Sequence, residues 1–261
     1  MITHFSGLKL QTLSIQGVRQ VYAERLGFPI IAQTGQDITF AITPHASLTF
    51  KEVHEPLAPV HFAFQVPYEQ FHESVKWLKQ SGLFIAAWPD GREIDDENGR
   101  LNLYFRDGDG NLLEIIAHEY VADGVLVPHT PLNILYLREV GCPVASVPVF
   151  RNWLRSHLQL KTLRDGDFFN FVIGGTAHVV ANWHHRRWLP IDMKAVPPKI
   201  EIAFGTPSLS FLHELQERFY LHSIPFHASD DSLSFHHEGY SFSIHHTPGF
   251  AADIPLRLQL P

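Results

Sequence analysis

A histidine and a glutamate, each set in an apolar strand, are the residues of this chain best placed to do chemistry. His61 lies in Val60-His61-Phe62-Ala63-Phe64, and Glu114 in Leu112-Leu113-Glu114-Ile115-Ile116. An unpaired charge is costly to bury in such a run, so Glu114 either faces solvent or has a partner. Period-2 alternation puts His61, Ala63 and Gln65 on one face of their strand, and Glu114, Ile116 and His118 on one face of theirs. If both faces line one hollow, imidazole and carboxylate together suit a hard or borderline divalent cation. The alternative is a direct His61–Glu114 hydrogen bond, the remnant of an older site. Two protein ligands hold a metal weakly, and His178, His118 and Glu201 are candidates for a third.

Other reactive residue types carry less. Tyr104 reads either as a packed aromatic or as an acid and hydrogen-bond partner for substrate. Asp107 shapes a turn, and Asp95-Asp96-Glu97 forms a solvated loop. The pairs His184-His185 and His236-His237 are adjacent, and neighbours on a strand point to opposite faces, so neither pair chelates easily. Cys142, the one cysteine, sits in a Gly-Cys-Pro turn with no evident base.

At 261 residues the chain can bury a large core. Its net charge of −7, with no basic stripe beyond His184-His185-Arg186-Arg187, argues against a nucleic-acid partner. No apolar segment is long enough to span a bilayer, and the first residues do not read as a signal peptide. A single cysteine excludes an internal disulfide framework and suits a reducing, cytoplasmic setting.

The elements that must position His61 and Glu114 repeat as strand–helix–strands, four times over. Unit one has a strand over 8–15, a helix through Val18, Val21, Tyr22 and Leu26 stopped by Gly27, and strands over 38–42 and 47–50. Unit two opens at Val60, with Pro67 at the first helical position, Phe71, Val75 and Leu78 on one face, and Gly82 as the stop. Strands near 84–87, 101–105 and 112–117 complete it. Unit three begins at Leu132, with a helix carrying Phe150, Trp153, Leu154 and Leu158. Unit four opens at Lys199, with Thr206-Pro207 as the helix cap and Leu212, Leu215 and Phe219 as the stripe. Two echoes support duplication: His61-Phe62-Ala63-Phe64 with Glu201-Ile202-Ala203-Phe204, and 110–115 with 239–244. The stretch 184–198 crosses between units.

Three segments together resemble the vicinal oxygen chelate superfamily, which includes glyoxalase I, fosfomycin- and bleomycin-resistance proteins and extradiol ring-cleaving dioxygenases. They are Val21-Tyr22-Ala23-Glu24-Arg25-Leu26-Gly27-Phe28, Val60-His61-Phe62-Ala63-Phe64, and Tyr104-Phe105-Arg106-Asp107-Gly108-Asp109-Gly110-Asn111-Leu112-Leu113-Glu114. The resemblance implies an α+β fold of four tandem βαβββ units, arranged as two glyoxalase/dioxygenase-like modules whose curved mixed sheets form cups. An N-terminal module over 1–122 would carry His61 and Glu114. A linker over 123–130 and a C-terminal module over 131–261 with degenerate ligand positions would follow. By the same resemblance His61 and Glu114 are metal ligands, a further histidine is expected near Leu10, and Tyr104 matches a catalytic-site tyrosine of the dioxygenases. Gly108 stands where the family has proline. In the second module Glu201 and Ser243 occupy the ligand positions.

The implied activity is that of a divalent-metal enzyme, using Fe, Mn, Zn or Ni, on a small oxygen-rich substrate such as an aromatic diol. Its chemistry would be that of a lyase or a ring-cleaving dioxygenase. The alternative is a metal-free small-molecule binding or sequestering protein of the bleomycin-resistance type. The expected partner is a small molecule, with no nucleic acid and no membrane, and the chain would be a monomer or homodimer.

Overall fold

The computed structural model describes residues 1–260. Its four units fold as expected, but their pairing differs from the sequence-based division at 122/131. Unit one hydrogen-bonds to unit four through antiparallel strands His4–Thr12 and Glu201–Thr206. Unit two hydrogen-bonds to unit three through antiparallel strands His61–Gln65 and Tyr136–Val144. One curved mixed sheet of eight strands therefore belongs to the outer units, and one of nine to the inner units. Chain order does not decide sheet partnership, because any unit exposes the same open edge, its first strand, to any other.

A single apolar core joins the two sheets. Phe28 of unit one meets Phe64 of unit two at 5.9 Å between ring centroids, and Phe150 of unit three meets Phe242 of unit four at 6.4 Å. Helices Phe71–Gln80, Val147–Leu158 and Leu209–Leu221 each bury one stripe in this core. Fully burying a side chain such as Phe28 or Phe64 contributes about 1.5–3 kcal/mol, so the two modules have no independent interiors. Among the described residues no helix is long and apolar enough to cross a membrane.

Local details correct three expectations. The second helix starts at Phe71, not at Pro67, whose carbonyl instead accepts the Gln70 N–H in the preceding turn. The fourth helix is capped by Ser208, whose Oγ accepts the Phe211 N–H at 3.1 Å, while Thr206 ends a strand. Cys142 lies inside strand Tyr136–Val144, fully buried, not in a turn. Gly27 does stop the first helix, at φ 72°. A Cβ there would come within 2.8 Å of Pro131, so the stop is also a close packing point.

Between units three and four the chain forms a strap that contains a small hairpin, Arg187–Trp188 against Met193–Lys194. Trp188 is buried by this strap against the concave face of the inner sheet, with its ring 4.8 Å from that of His61. The slot exists because residue 141 is glycine: a Cβ there would lie 2.9 Å from the indole.

Candidate metal centre

The concave face of the inner sheet assembles a three-residue cluster. His61 comes from the first strand of unit two, Glu114 from its last strand, Leu112–His118, and Glu139 from the first strand of unit three. One ligand atom from each lies within 4.8 Å of the others, and all three residues are buried. His61 Nε2 stands 3.7 Å from Glu114 Oε2 and 3.8 Å from Glu139 Oε2.

Glu139 reaches the cup through a β-bulge. Leu137 pairs with Phe64 and Glu139 pairs with Ala63, so Arg138 is the extra residue of its strand. The bulge brings both Arg138 and Glu139 to the cavity wall, where strict alternation would have sent one of them into the core.

The remaining polar atoms of these three side chains face other neighbours. His61 Nδ1 lies 3.1 Å from the Leu112 carbonyl. Donation to that oxygen fixes the proton on Nδ1 and leaves the Nε2 lone pair facing the acids. Asn102 Nδ2 donates to Glu114 Oε1, and Arg138 Nε sits 3.7 Å from Glu139 Oε1. Ligand bonds of about 2.0–2.2 Å put neighbouring ligand atoms roughly 3–3.5 Å apart. A contraction of a few tenths of an ångström would close this set on an ion, so the residues fit a divalent metal.

The electrostatics point the same way. Burial and then the charge of Glu139 push the Glu114 carboxyl up to about 7. Burial opposes a charged His61, yet the two carboxylates outweigh it and raise the imidazole above its ordinary value. Two buried acids around one base hold on to a proton, and a cation would take that proton's place.

The expected third ligands fall elsewhere. His118 lines the same cavity, but its Nδ1 is 3.1 Å from Gln65 Oε1, an oxygen that also accepts from Arg138. His178 lines the cavity too, directly across from Glu139 in the parallel ladder, with a buried Nε2 that has no protein partner. It stands outside the tight cluster. Glu201 is on the other sheet, exposed and 3.7 Å from Lys9. Leu10 is buried in the outer units and contributes to the core. The first strand that meets unit two is that of unit three, so Glu139 and not a residue near Leu10 faces His61. A charged pair, Arg138-Glu139, inside an otherwise apolar strand was the available sequence signal, of the same kind that marks Glu114.

Tyr104 stands opposite Glu114 in the antiparallel ladder, 6.4 Å from His61 between ring centroids. Burial, followed by the charges of Glu114 and Glu139, raises its phenol well above the ordinary value, so it stays protonated. Asp107 shapes the turn, as expected: its carboxylate accepts from the Asp109 and Asn111 backbone N–H groups, the Asn111 side chain and the Tyr22 hydroxyl. Asp95 pairs with Arg100 at 3.2 Å at the cavity edge.

The cavity over the cluster has a volume of about 400 Å³, with walls that include Trp88, Tyr104, Phe169, Phe171 and Trp188. Among the described residues, five of its lining side chains carry a buried polar atom with no hydrogen-bond partner: Trp88 Nε1, Arg100 Nε, Asn102 Oδ1, Arg138 Nε and His178 Nε2. Buried polar groups are normally satisfied, so such a concentration marks a place built for polar ligand atoms.

The outer sheet has the same frame with other residues at these positions. In the inner sheet Ala63 pairs with both Glu139 and Glu114, and Glu139 with His178. In the outer sheet Ala203 pairs with Gly7 and Ser243, and Gly7 with Ser47. Gly7, Ser47, Glu201 and Ser243 thus occupy the places of Glu139, His178, His61 and Glu114.

No protein-family profile and no curated protein matches the sequence. Solved structures do match in shape. A Bacillus subtilis protein with a provisional dioxygenase assignment superimposes with a TM-score of 0.69 at 16% identity, over 100% of this chain and 92% of its own. Glyoxalase I from Zea mays gives a TM-score of 0.60 at 13% identity, over 97% of this chain and 96% of its own. Four units, two curved sheets and these likenesses agree that the chain has a glyoxalase/dioxygenase-like fold.

Proposed function

We propose that the protein is a divalent-metal-dependent enzyme that acts on a small, oxygen-rich substrate in the inner cup. One observation carries this reading. His61 Nε2 and one oxygen each of Glu114 and Glu139 face one another in a buried hollow, while Leu112 and Asn102 hold the other polar atoms of His61 and Glu114 and Arg138 stands at ion-pair distance from Glu139. A divalent ion held there supplies Lewis acidity to adjacent substrate oxygens. The chain's own residues bind and orient. Tyr104, kept protonated beside Glu114, donates a hydrogen bond to a substrate oxygen and does not act as a base. Burial also holds His118 and His178 neutral, with Arg138 close to both, so they accept or donate hydrogen bonds without adding charge. The aromatic walls exclude water and favour a flat substrate, which supports ring-cleaving chemistry over the isomerase alternative.

Elemental analysis of purified protein for Fe, Mn, Zn and Ni tests the reading. About one equivalent of one of these metals is expected, with Glu139→Ala and His61→Ala each weakening metal affinity by at least about 100-fold while the fold is retained. A protein that takes up none of the four ions overturns it. Thermal shifts with aromatic ligands on that metal-free protein would then support the small-molecule binding alternative.

A further inference from the structure

The cup holds one more charged group that the metal reading leaves unused. Arg186, on the strap, lines the cavity half-buried, with its guanidinium carbon 4.5 Å from the centre of the Phe169 ring. Among the described residues its one side-chain hydrogen bond runs from a terminal nitrogen to Asn182 Oδ1 at 3.0 Å. Among the described residues no carboxylate pairs with it, and burial disfavours its charge while it lacks one. The other guanidinium groups here are spoken for. Arg100 pairs with Asp95 and Glu97, and Arg138 donates to Gln65, Tyr136 and Tyr120 beside Glu139. A guanidinium offers five N–H donors in a flat fork. Stacking on Phe169 and the bond to buried Asn182 hold that fork in place before any ligand arrives, which lowers the entropy lost on binding.

The charges of the cup ask for a particular ligand. A divalent ion balances Glu114 and Glu139, and Asp95 balances Arg100. Arg138 and Arg186 then leave the cavity positive. A chelating hydroxyl that ionises at the metal answers one of these charges, and a second anionic group is needed for the other. The geometry of a flat fork matches a carboxylate through two parallel hydrogen bonds.

We propose that the substrate is a flat, single-ring compound with adjacent oxygens for the metal and a separate carboxylate, and that Arg186 docks this carboxylate at the strap end of the inner cup. The proposal rests on the reading of this cup as the substrate site, with its metal at the chelating end. Arg186 then sets specificity: compounds without the carboxylate leave the guanidinium half-buried and unanswered.

The probes are 3,4-dihydroxybenzoate and catechol, which differ by that one group. Binding to the full chain is followed without oxygen by quenching of tryptophan fluorescence, since Trp88 and Trp188 line the cavity. It is measured on protein loaded with Mn2+ and on chelator-treated protein. In the wild type the carboxylated probe should bind about tenfold more tightly, the range for a charged hydrogen-bonded contact that is partly screened. Arg186→Gln should cut that preference to about twofold or less, leave catechol binding and Mn2+ content unchanged, and melt at the wild-type temperature. Arg186→Lys, which keeps the charge but loses the fork, should fall between. Equal binding of the two probes to the wild type, binding of neither, or equal weakening of both by Arg186→Gln would overturn the proposal. Failure of the metal reading shows separately, as absent Mn2+ uptake and chelator-insensitive binding, and the ratio of the two probes still decides the role of Arg186.

Discussion

The two cups share a frame and differ in what faces it. In the inner sheet, strand His61–Gln65 is buried on both sides and strand Leu112–His118 almost entirely so. In the outer sheet, strands Ala46–Glu52 and Tyr240–His246 alternate buried with half-exposed residues. The strap and Trp188 cover the inner cup, whereas the outer one is an open surface lined by Lys9, Ser47, Thr49 and Glu201. The same register that holds His61, Glu114 and Glu139 in the inner sheet holds Glu201, Ser243 and Gly7 in the outer. On the proposed reading, a cup that holds a metal needs two things beyond its frame: ligand residues at the paired positions, and a cover that dries them. Without a cover, water competes for the ion, and charged ligands gain little from meeting.

The sharpest way to break this comparison is to exchange ligand positions. Glu139→Gly, which copies the outer residue, should lower metal affinity of the inner cup by at least about 100-fold by titration calorimetry, the higher end of what loss of one tuned contact costs. The reverse triple change Gly7→Glu, Glu201→His and Ser243→Glu should add at most a weak second metal equivalent, since a Cβ at Gly7 meets only ordinary contacts but the cup stays open. A tight second equivalent would show that the cover is unimportant.

The cover gives the next largest effect. Trp188→Ala should destabilise the protein by about 3 kcal/mol, the usual penalty for emptying a buried aromatic site. Gly141→Ala should cost about 1–3 kcal/mol by pushing the indole off its slot. Denaturant unfolding checks both. At the corresponding outer position Lys9→Ala should change stability by less than about 1 kcal/mol, because Lys9 is a half-buried strand residue whose only ion pair, to Glu201, is long.

A smaller effect separates the sheets by pH. Burial, with His45 nearby, pushes His4 of the outer sheet down to about 3. The folded chain keeps this ring neutral while the unfolded chain protonates it near 6.5, so unfolding takes up a proton between these values. Stability should thus fall as pH drops below about 6.5, with a share from His4 of about 2 kcal/mol at pH 5. His4→Asn should flatten that part of a melting-temperature profile between pH 7 and pH 5 without altering metal affinity of the inner cup. An unchanged slope would mean that His4 is not held neutral.

Least of all should Glu201→Ala matter. It occupies the place of His61 but is exposed, and its removal should leave metal content and stability within about 0.5 kcal/mol of wild type. A larger change would mean that the outer cup has a role its open surface does not suggest.

Much of this difference was legible in the chain. Leu8-Lys9-Leu10-Gln11 and Ser47-Leu48-Thr49-Phe50-Lys51 alternate as strands with one wet face do. Phe62-Ala63-Phe64 and Leu112-Leu113 run apolar with single charged interruptions, as strands covered on both sides do. The echo of 61–64 with 201–204 marked equivalent strands, and the ladders confirm their register. Hydrophobic period and turn residues are local, so they determined the four βαβββ units, the stop at Gly27, the turn at Asp107, and the presence of His61 and Glu114 on inward faces.

Partnership between units is not local. Nothing in the chain states that unit two pairs with unit three across an antiparallel edge, and with that pairing unknown the resemblance places the missing histidine near Leu10 and leaves His178, His118 and Glu201 as candidates for a third ligand. Nor does alternation show that a bulge at Arg138 turns Glu139 into the cup. The close approach of Trp188 to Gly141 and the stacking of Arg186 on Phe169 likewise join residues far apart in sequence. Sequence determined which side chains stand on which strand face, because that follows from backbone geometry over a few residues. Only the tertiary structure decided which faces meet, because sheet edges of similar hydrogen-bonding pattern are interchangeable until the whole core is packed.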